Sequence, residues 1–326
     1  MTITRRAALG AALAAPALTA PAQAQAPGLP DRPVRLVLGF PGGTGPDLVA
    51  RLLVDGLREA LPAGLVVDNR PGAAGALAAQ EVARAAPDGT TLLLGDVSQL
   101  AMAPATYARL PYDPLRDFAP VGEVAAIDFA LVAPASLPTP DLTAWRGWAA
   151  GRRPVFLGTF GAGTPGHFAA ALLAREWGLA AEAVHFRATG DAMTALLNGE
   201  VQGMFGTVAL VAPHVRAGRL RALMTTGPAR IAVLPEVPAA AEAGLPALSI
   251  EAWFALVAPA GTPAPLLAAW EAAVRRAMEA PALRARLAEA GFRPTARGAA
   301  PFAAMWREEA QRWAQVVRAT GFQALE

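Results

Sequence analysis

The stretch Gly39-Phe40-Pro41-Gly42-Gly43-Thr44-Gly45-Pro46-Asp47 follows a short apolar run, Val34–Leu38, and opens into a helical pattern. A second stretch, Gly158-Thr159-Phe160-Gly161-Ala162-Gly163-Thr164-Pro165-Gly166-His167, follows another apolar run that begins at Val155. Each passes from a strand end through glycines to a threonine close ahead of a proline, the expected start of a helix. Such strand–loop–helix units, repeated, predict an α/β fold with parallel sheets. Glycines lacking Cβ let backbone amides approach a ligand, and the helix dipole adds partial positive charge. Each loop is therefore a candidate anion site. One in each half of the chain suggests two jaws, with amides at Gly43, Thr44, Gly163 and Thr164 gripping the carboxylate end or ends of a small acid. A third loop, Phe186-Arg187-Ala188-Thr189-Gly190-Asp191, has the same character, and Arg187 adds charge.

Outward from these loops the alternation continues. Strands are predicted at 34–38, 65–67, 91–94, 130–132, 155–157, 184–186, 204–205 and 220–224, with an extended apolar segment over 248–257. Helices are predicted at 46–60, 75–86, 165–177, 191–197, 208–217, 263–279, 282–289 and 301–320. About 300 residues exceed what one hydrophobic core usually serves, which predicts two lobes.

The first residues read as an address rather than as fold. Arg5 and Arg6 precede an Ala-rich apolar run, and Ala22-Gln23-Ala24 offers a signal-peptidase site, so residues 1–24 are expected to be a cleaved signal peptide. Thr4-Arg5-Arg6 is compatible with twin-arginine export as well as with the general route. Without those two arginines, 26 basic residues balance 26 acidic ones, which is not the footprint of a nucleic-acid binder.

Several chemistries lack the residues to run them. The chain has no cysteine and no lysine, which excludes thiolate nucleophiles, iron–sulfur ligation, a lipoprotein anchor, a P-loop lysine and a Schiff base. Ser98, Ser136 and Ser249 are its only serines, and none lies in a nucleophile elbow. His167, His185 and His214 are too far apart in sequence for a helical metal pair. No metal, no cofactor and no catalytic residue is expected. Gly161, Gly163 and Gly166 do spell G-x-G-x-x-G, and an NADP-dependent oxidoreductase is the competing enzymatic reading. Against it stand export, the position in the second half, Pro165 between the glycines, and a next strand ending in Phe186-Arg187 rather than an acid.

At these loops the chain resembles the periplasmic substrate-binding proteins of tripartite tricarboxylate transporters, the Bug or TctC-like family. The likeness rests on RLVLGFPGGTGPD at 35–47, DNRPG at 68–72, APDGTTLLLG at 86–95, LPYDPLRDFAP at 110–120, AGRLRA at 217–222 and WFALVAPAGTP at 253–263. It runs over about 30–321, nearly all the chain that would remain after cleavage. The resemblance implies a type II periplasmic-binding-protein fold, a Venus flytrap whose two α/β lobes are joined by two crossover strands. One lobe would comprise 27–125 and 252–326, the other 126–251. It implies a monomeric periplasmic receptor that binds a small carboxylate in the interlobe cleft and delivers it to a tripartite tricarboxylate-type membrane transporter. An exported sensor feeding a signalling partner would bind in the same way.

Carried over residue by residue, the resemblance implies ligand contacts at Phe40, Gly42, Gly43 and Thr44, and at Ser98 and Gln99. From the second lobe it implies Thr159, Gly163, Thr164, His167, Arg187, Thr189 and Gly190. The chain departs from the family pattern at Phe186-Arg187, where Tyr-Lys is usual, at Ala103-Pro104, where Asn-Pro is familiar, and at Gly206-Thr207 in place of Asp-Asn. These changes make the cleft less polar than is usual and favour a less polar or aromatic acid over citrate.

Overall fold

The computed structural model describes residues 28–61, 63–186 and 189–326. The signal peptide expected over 1–24 and the site residue Arg187 lie outside the described residues. The strands are β1 (Val34–Leu38), β2 (Leu65–Asn69), β3 (Thr91–Asp96), β4 (Phe118–Pro134), β5 (Val155–Thr159), β6 (Ala181–His185), β7 (Gly203–Thr207), β8 (Leu220–Thr225), β9 (Glu251–Pro259) and β10 (Arg293–Pro294). The helices are α1 (Gly45–Leu57), α2 (Ala76–Ala83), α3 (Ala103–Thr106), α4 (Pro114–Asp117), α5 (Leu142–Ala150), α6 (Pro165–Trp177), α7 (Thr189–Leu197), α8 (Val208–Arg216), α9 (Ala264–Glu279), α10 (Pro281–Glu289) and α11 (Ala299–Ala319).

Apolar spacing explains these elements. β1, β3 and β9 are near-continuous apolar runs buried on both faces, as strands covered by helices must be. α1 buries Val49, Leu52, Leu53 and Leu57, and α11 buries Phe302, Trp306, Trp313 and Val317, each at helical spacing. α6 has the expected bounds. α5, α3, α4 and a π-helical turn at Ser98–Met102 were not expected. The strand predicted at 130–132 proves to be part of β4, which is 17 residues long.

β4 is the spine of the molecule. The strand order is β2-β1-β3-β9-β4-β7-β5-β6, with β8 and β10 also paired to β4. β4 pairs with β9 as far as Asp128, and with β7 and β8 from Phe129 or Ala130 onward. The molecule thus has two α/β lobes that share β4, with β9 entering the first lobe opposite Asp128. A second apolar cluster, including Leu196, Val201, Met204, Val211 and Leu220, belongs to the lobe beyond Phe129. Among the described residues no helix is long and apolar enough to cross a membrane.

The strand directions decide where the loops go. β1, β2 and β3 are parallel, β9 runs against β3, and β4 runs against β9, so β4 points the same way as β1–β3. It therefore leaves the first lobe at the edge where β1 and β3 end. In the second lobe β7 runs against β4, and β5 and β6 run with β7. Thr207, the last residue of β7, lies opposite Phe129, the first residue of β4 in that lobe. The C-terminal ends of both parallel sets consequently face the junction between the lobes. In open α/β sheets that edge is where ligands bind.

Candidate ligand cleft

The first jaw is the loop from Gly39 to Thr44. Gly43 has φ +79°, a left-handed conformation that disfavours other residues. Its amide donates to Asp47 Oδ2 at 2.9 Å. The same carboxylate accepts from Arg51 Nε at 2.8 Å and from Asn69 Nδ2 at 3.0 Å. Asn69 Nδ2 also donates to the Phe40 carbonyl at 2.9 Å, tying the end of β2 to the loop. Burial pushes the Asp47 carboxyl up, but the bonds from Arg51, Gly43 and Asn69 together hold it below the usual carboxylate range. The Thr44 hydroxyl does not cap α1; it donates back to the Pro41 carbonyl at 2.7 Å. Gly42 and Gly43 are exposed, and Phe40 and Thr44 are half-buried. Among the described residues, the amides of Gly42, Thr44 and Gly45 have no protein acceptor.

Gln99 holds the first-lobe loops together. Its Nε2 donates to the Gly75 carbonyl at 2.8 Å, and its Oε1 accepts the Asp96 amide at 3.1 Å. Its side chain fills the space that a Cβ on Gly39 or Gly75 would need, at 2.3 Å and 2.1 Å from Nε2. The Tyr112 hydroxyl donates to its carbonyl at 2.8 Å. Gln99 is thus buried with both ends of its amide engaged, while Ser98 beside it stays half-buried. Asp96 accepts the Gln99 amide at 3.0 Å, and burial raises its carboxyl to about 6.

The second jaw repeats the first with different chemistry. Gly163 has φ +75°, and its amide donates to His167 Nδ1 at 3.1 Å. Thr164 Oγ1 donates to the Gly161 carbonyl at 2.9 Å and accepts the His167 amide at 3.4 Å, capping α6. Nδ1 accepts, so the His167 proton sits on Nε2, which is left as a donor. Burial, with a smaller contribution from neighbouring His185, pushes the His167 imidazole down to about 4. The two rings lie edge to face at 4.6 Å, and His185 Nδ1 is 2.6 Å from Thr159 Oγ1. Thr189 and Gly190 are exposed at the start of α7. Among the described residues, the amides of Ala162 and Thr164 have no protein acceptor.

These geometries correct one expectation. The amides of Gly43 and Gly163, expected to grip the ligand, are donated internally, so both glycines shape their loops. The amides left open are those of Gly42, Thr44 and Gly45 on one side and Ala162 and Thr164 on the other. Asp47, Asn69 and His185 were not singled out from the sequence. The four-residue spacing from Gly43 to Asp47, repeated from Gly163 to His167, was the signal for the first. Asn69, within the DNRPG stretch, and His185 reach the loops from neighbouring strands, and no spacing in the sequence ties either to its loop.

Two α/β lobes, joined through long strands and bearing matched glycine loops at their junction, define a flytrap solute-binding protein. Residues 49–322 match the family described as "Tripartite tricarboxylate transporter family receptor", and the chain belongs to that family. Protein BugT of Bordetella pertussis is 32% identical over 324 residues, covering 98% of this chain and 99% of its own. The UPF0065 protein in the gbd 5' region of Cupriavidus necator is 35% identical, covering 89% of this chain and 88% of its own. MatC from Rhodopseudomonas palustris, solved with bound malate, superposes with a TM-score of 0.78 at 34% identity, covering 89% of this chain and all of its own. Another R. palustris protein, solved with adipate, gives 0.83 at 29% identity over 91% of this chain and 99% of its own. The family is one of solute-binding receptors, not of enzymes, which sets aside the oxidoreductase reading of the 161–166 glycines.

Proposed function

We propose that this chain is exported to the periplasm, closes on one small organic acid between its lobes, and passes it to a tripartite tricarboxylate-type membrane transporter. The observation that carries the reading is the twin jaw: Gly43 on Asp47 and Gly163 on His167, at strand ends that face one junction. Each jaw leaves open amides at a helix N-terminus, where a carboxylate is stabilised by charge-assisted hydrogen bonds. The malate and adipate of the two related structures support a carboxylate ligand. The ligand contacts we propose are Phe40, Gly42, Thr44, Ser98, Thr159, Thr164, His167, Arg187, Thr189 and Gly190, with Gly43, Gly163 and Gln99 shaping the loops. Phe40, Phe160 and Phe186 are half-buried residues of the same three loops, and they support an acid with an apolar or aromatic body. The receptor acts as a monomer without cofactor. In this reading one lobe comprises 27–125 and 252–326 and the other 126–251.

A thermal-shift screen of the mature protein against organic acids tests this. A true ligand at a hundredfold excess over its dissociation constant stabilises by about 2.7 kcal/mol. Stabilisation by a carboxylate, and none by NADP, is the expected result. A shift with NADP alone would contradict the proposal, as would an unprocessed N-terminus in the periplasmic fraction where a start near Gln25 is expected.

A further inference from the structure

The second jaw is braced by a segment of chain that sequence reading assigned no role. After α11, residues 321–326 run back toward the junction. Leu325 donates its amide to the Thr106 carbonyl at 2.8 Å, and its own carbonyl accepts the Ala108 amide at 2.8 Å. This two-bond bridge fixes the segment to the first lobe, just after the π-helical turn that carries Ser98 and Gln99. From that anchor the Phe322 ring reaches the second lobe, with its centroid 5.5 Å from His167 and 5.2 Å from Phe168, both edge to face. A Cβ placed on Gly163 would lie 3.4 Å from Leu325 Cδ1 and 3.7 Å from Phe322 Cζ. The side-chain space that Gly163 leaves empty is therefore bordered by this segment.

His167 is held from three directions. Gly163 donates to its Nδ1, His185 meets it edge to face, and Phe322 closes a third side. His185 is the charged or titratable neighbour that acts on it. Removing Phe322 would open one side of the imidazole, leaving its bond from Gly163, the His185 ring and the Phe168 ring to hold it. The contacts of α11 on α6, Trp313 against Phe168 and Arg175 Nη1 on the Ala319 carbonyl at 3.2 Å, would remain.

We infer that Phe322 is a positioning residue of the ligand site: anchored to the first lobe through Leu325, it packs on His167 and sets the 160–164 loop in its binding geometry. The inference rests on the proposal that this loop holds the ligand. It also couples the lobes, because the loop that grips the acid on one side leans on chain anchored to the other.

The test compares wild type with Phe322→Ala and Phe322→Tyr. In ligand-free protein, the His167 titration followed by imidazole NMR signals should move from about 4 toward the ordinary value of 6.5 in Phe322→Ala, and stay near 4 in Phe322→Tyr. In the same alanine variant, affinity for malate or adipate, whichever wild type binds, should fall at least tenfold with little change in Tm, and the tyrosine variant should recover it. An unchanged His167 titration, or an unchanged affinity in Phe322→Ala, overturns the inference. Should wild type bind neither dicarboxylate, the ligand-free His167 titration decides the inference by itself, and the carboxylate-receptor reading is decided separately by the thermal-shift screen.

Discussion

Asp47 and His167 occupy matching places in the two jaws: each accepts the amide of the glycine four residues earlier, at 2.9 Å and 3.1 Å. One acceptor is an ionised carboxylate tied to Arg51, and the other is a neutral imidazole. The loops share a backbone solution and differ in how pH touches it.

His167 should make the protein acid-sensitive. Its folded-state value is depressed to about 4 from 6.5, so between those values the unfolded chain takes a proton that the folded chain refuses. Stability contributed by this group is complete above about 6.5 and is lost as pH falls toward 4. Protonation would also place a hydrogen on Nδ1 facing the Gly163 amide. Melting curves from pH 7 to 4 should show a steeper decline in wild type than in His167→Gln; parallel curves would contradict the assignment.

Asp96 has the opposite sign. Burial raises it to about 6, so its charged form is penalised increasingly as pH rises from about 4 to about 6. Asp96→Asn keeps an oxygen for the Gln99 amide and removes the charge. We expect it to raise stability at pH 7, by at most about 3 kcal/mol at 1.36 kcal/mol per unit, and to be neutral at pH 4. Chemical denaturation at the two pH values checks this.

Asp47→Ala leaves the Gly43 amide without its acceptor and the Asn69 side-chain amide with only the Phe40 carbonyl. Orphaning such donors costs about 1–3 kcal/mol, and the first jaw should loosen with it. We expect a lower denaturation midpoint together with weaker ligand binding. Asp47→Asn, which keeps one oxygen, should lose less on both counts.

Where the lobes meet, Asp128 lies opposite Glu251, and Arg293 bonds Glu251 with its Nη2 3.9 Å from Asp128 Oδ1. Burial, opposed by Arg293 and reinforced by Glu251, raises the Asp128 carboxyl. Arg293→Met removes the positive charge that offsets burial at Asp128 and should destabilise on the order of 2 kcal/mol at pH 8. The loss should shrink as pH falls and Asp128 takes up a proton. A loss independent of pH would show that Arg293 acts by packing alone.

How much of this was legible in the sequence depended on range. Apolar runs at Val34–Leu38 and Val155–Leu157, and the glycine–threonine–proline loops after them, are local signals, and the structure has strands and helix starts there. The sequence marks β4 only near 130–132. Its pairing with β9 shifts register between Pro120 and Gly122 and again between Glu123 and Ala125, so the alternation that marks a strand is broken. α5 is short and buries only Trp145 and Ala149, too few positions to mark a helical face in the sequence, although Asp141 caps it by accepting the Ala144 amide at 2.8 Å. The residues that set the jaws from outside, Asn69, His185 and Phe322, are brought in by tertiary structure and carry no spacing that sequence could reveal.

The most direct measurement is calorimetric titration of the same organic acid into wild type, Gly42→Val and Gly190→Val. Neither glycine has positive φ, and a Cβ at either meets nothing closer than Asn69 Oδ1 at 3.9 Å from Gly42, so valine adds bulk to the cleft without backbone strain. We expect one site per chain in wild type and at least about a hundredfold weaker binding, some 2.7 kcal/mol, in each variant, with melting temperatures unchanged. Undiminished affinity in both variants would contradict the central claim that the acid is held between these two lobes.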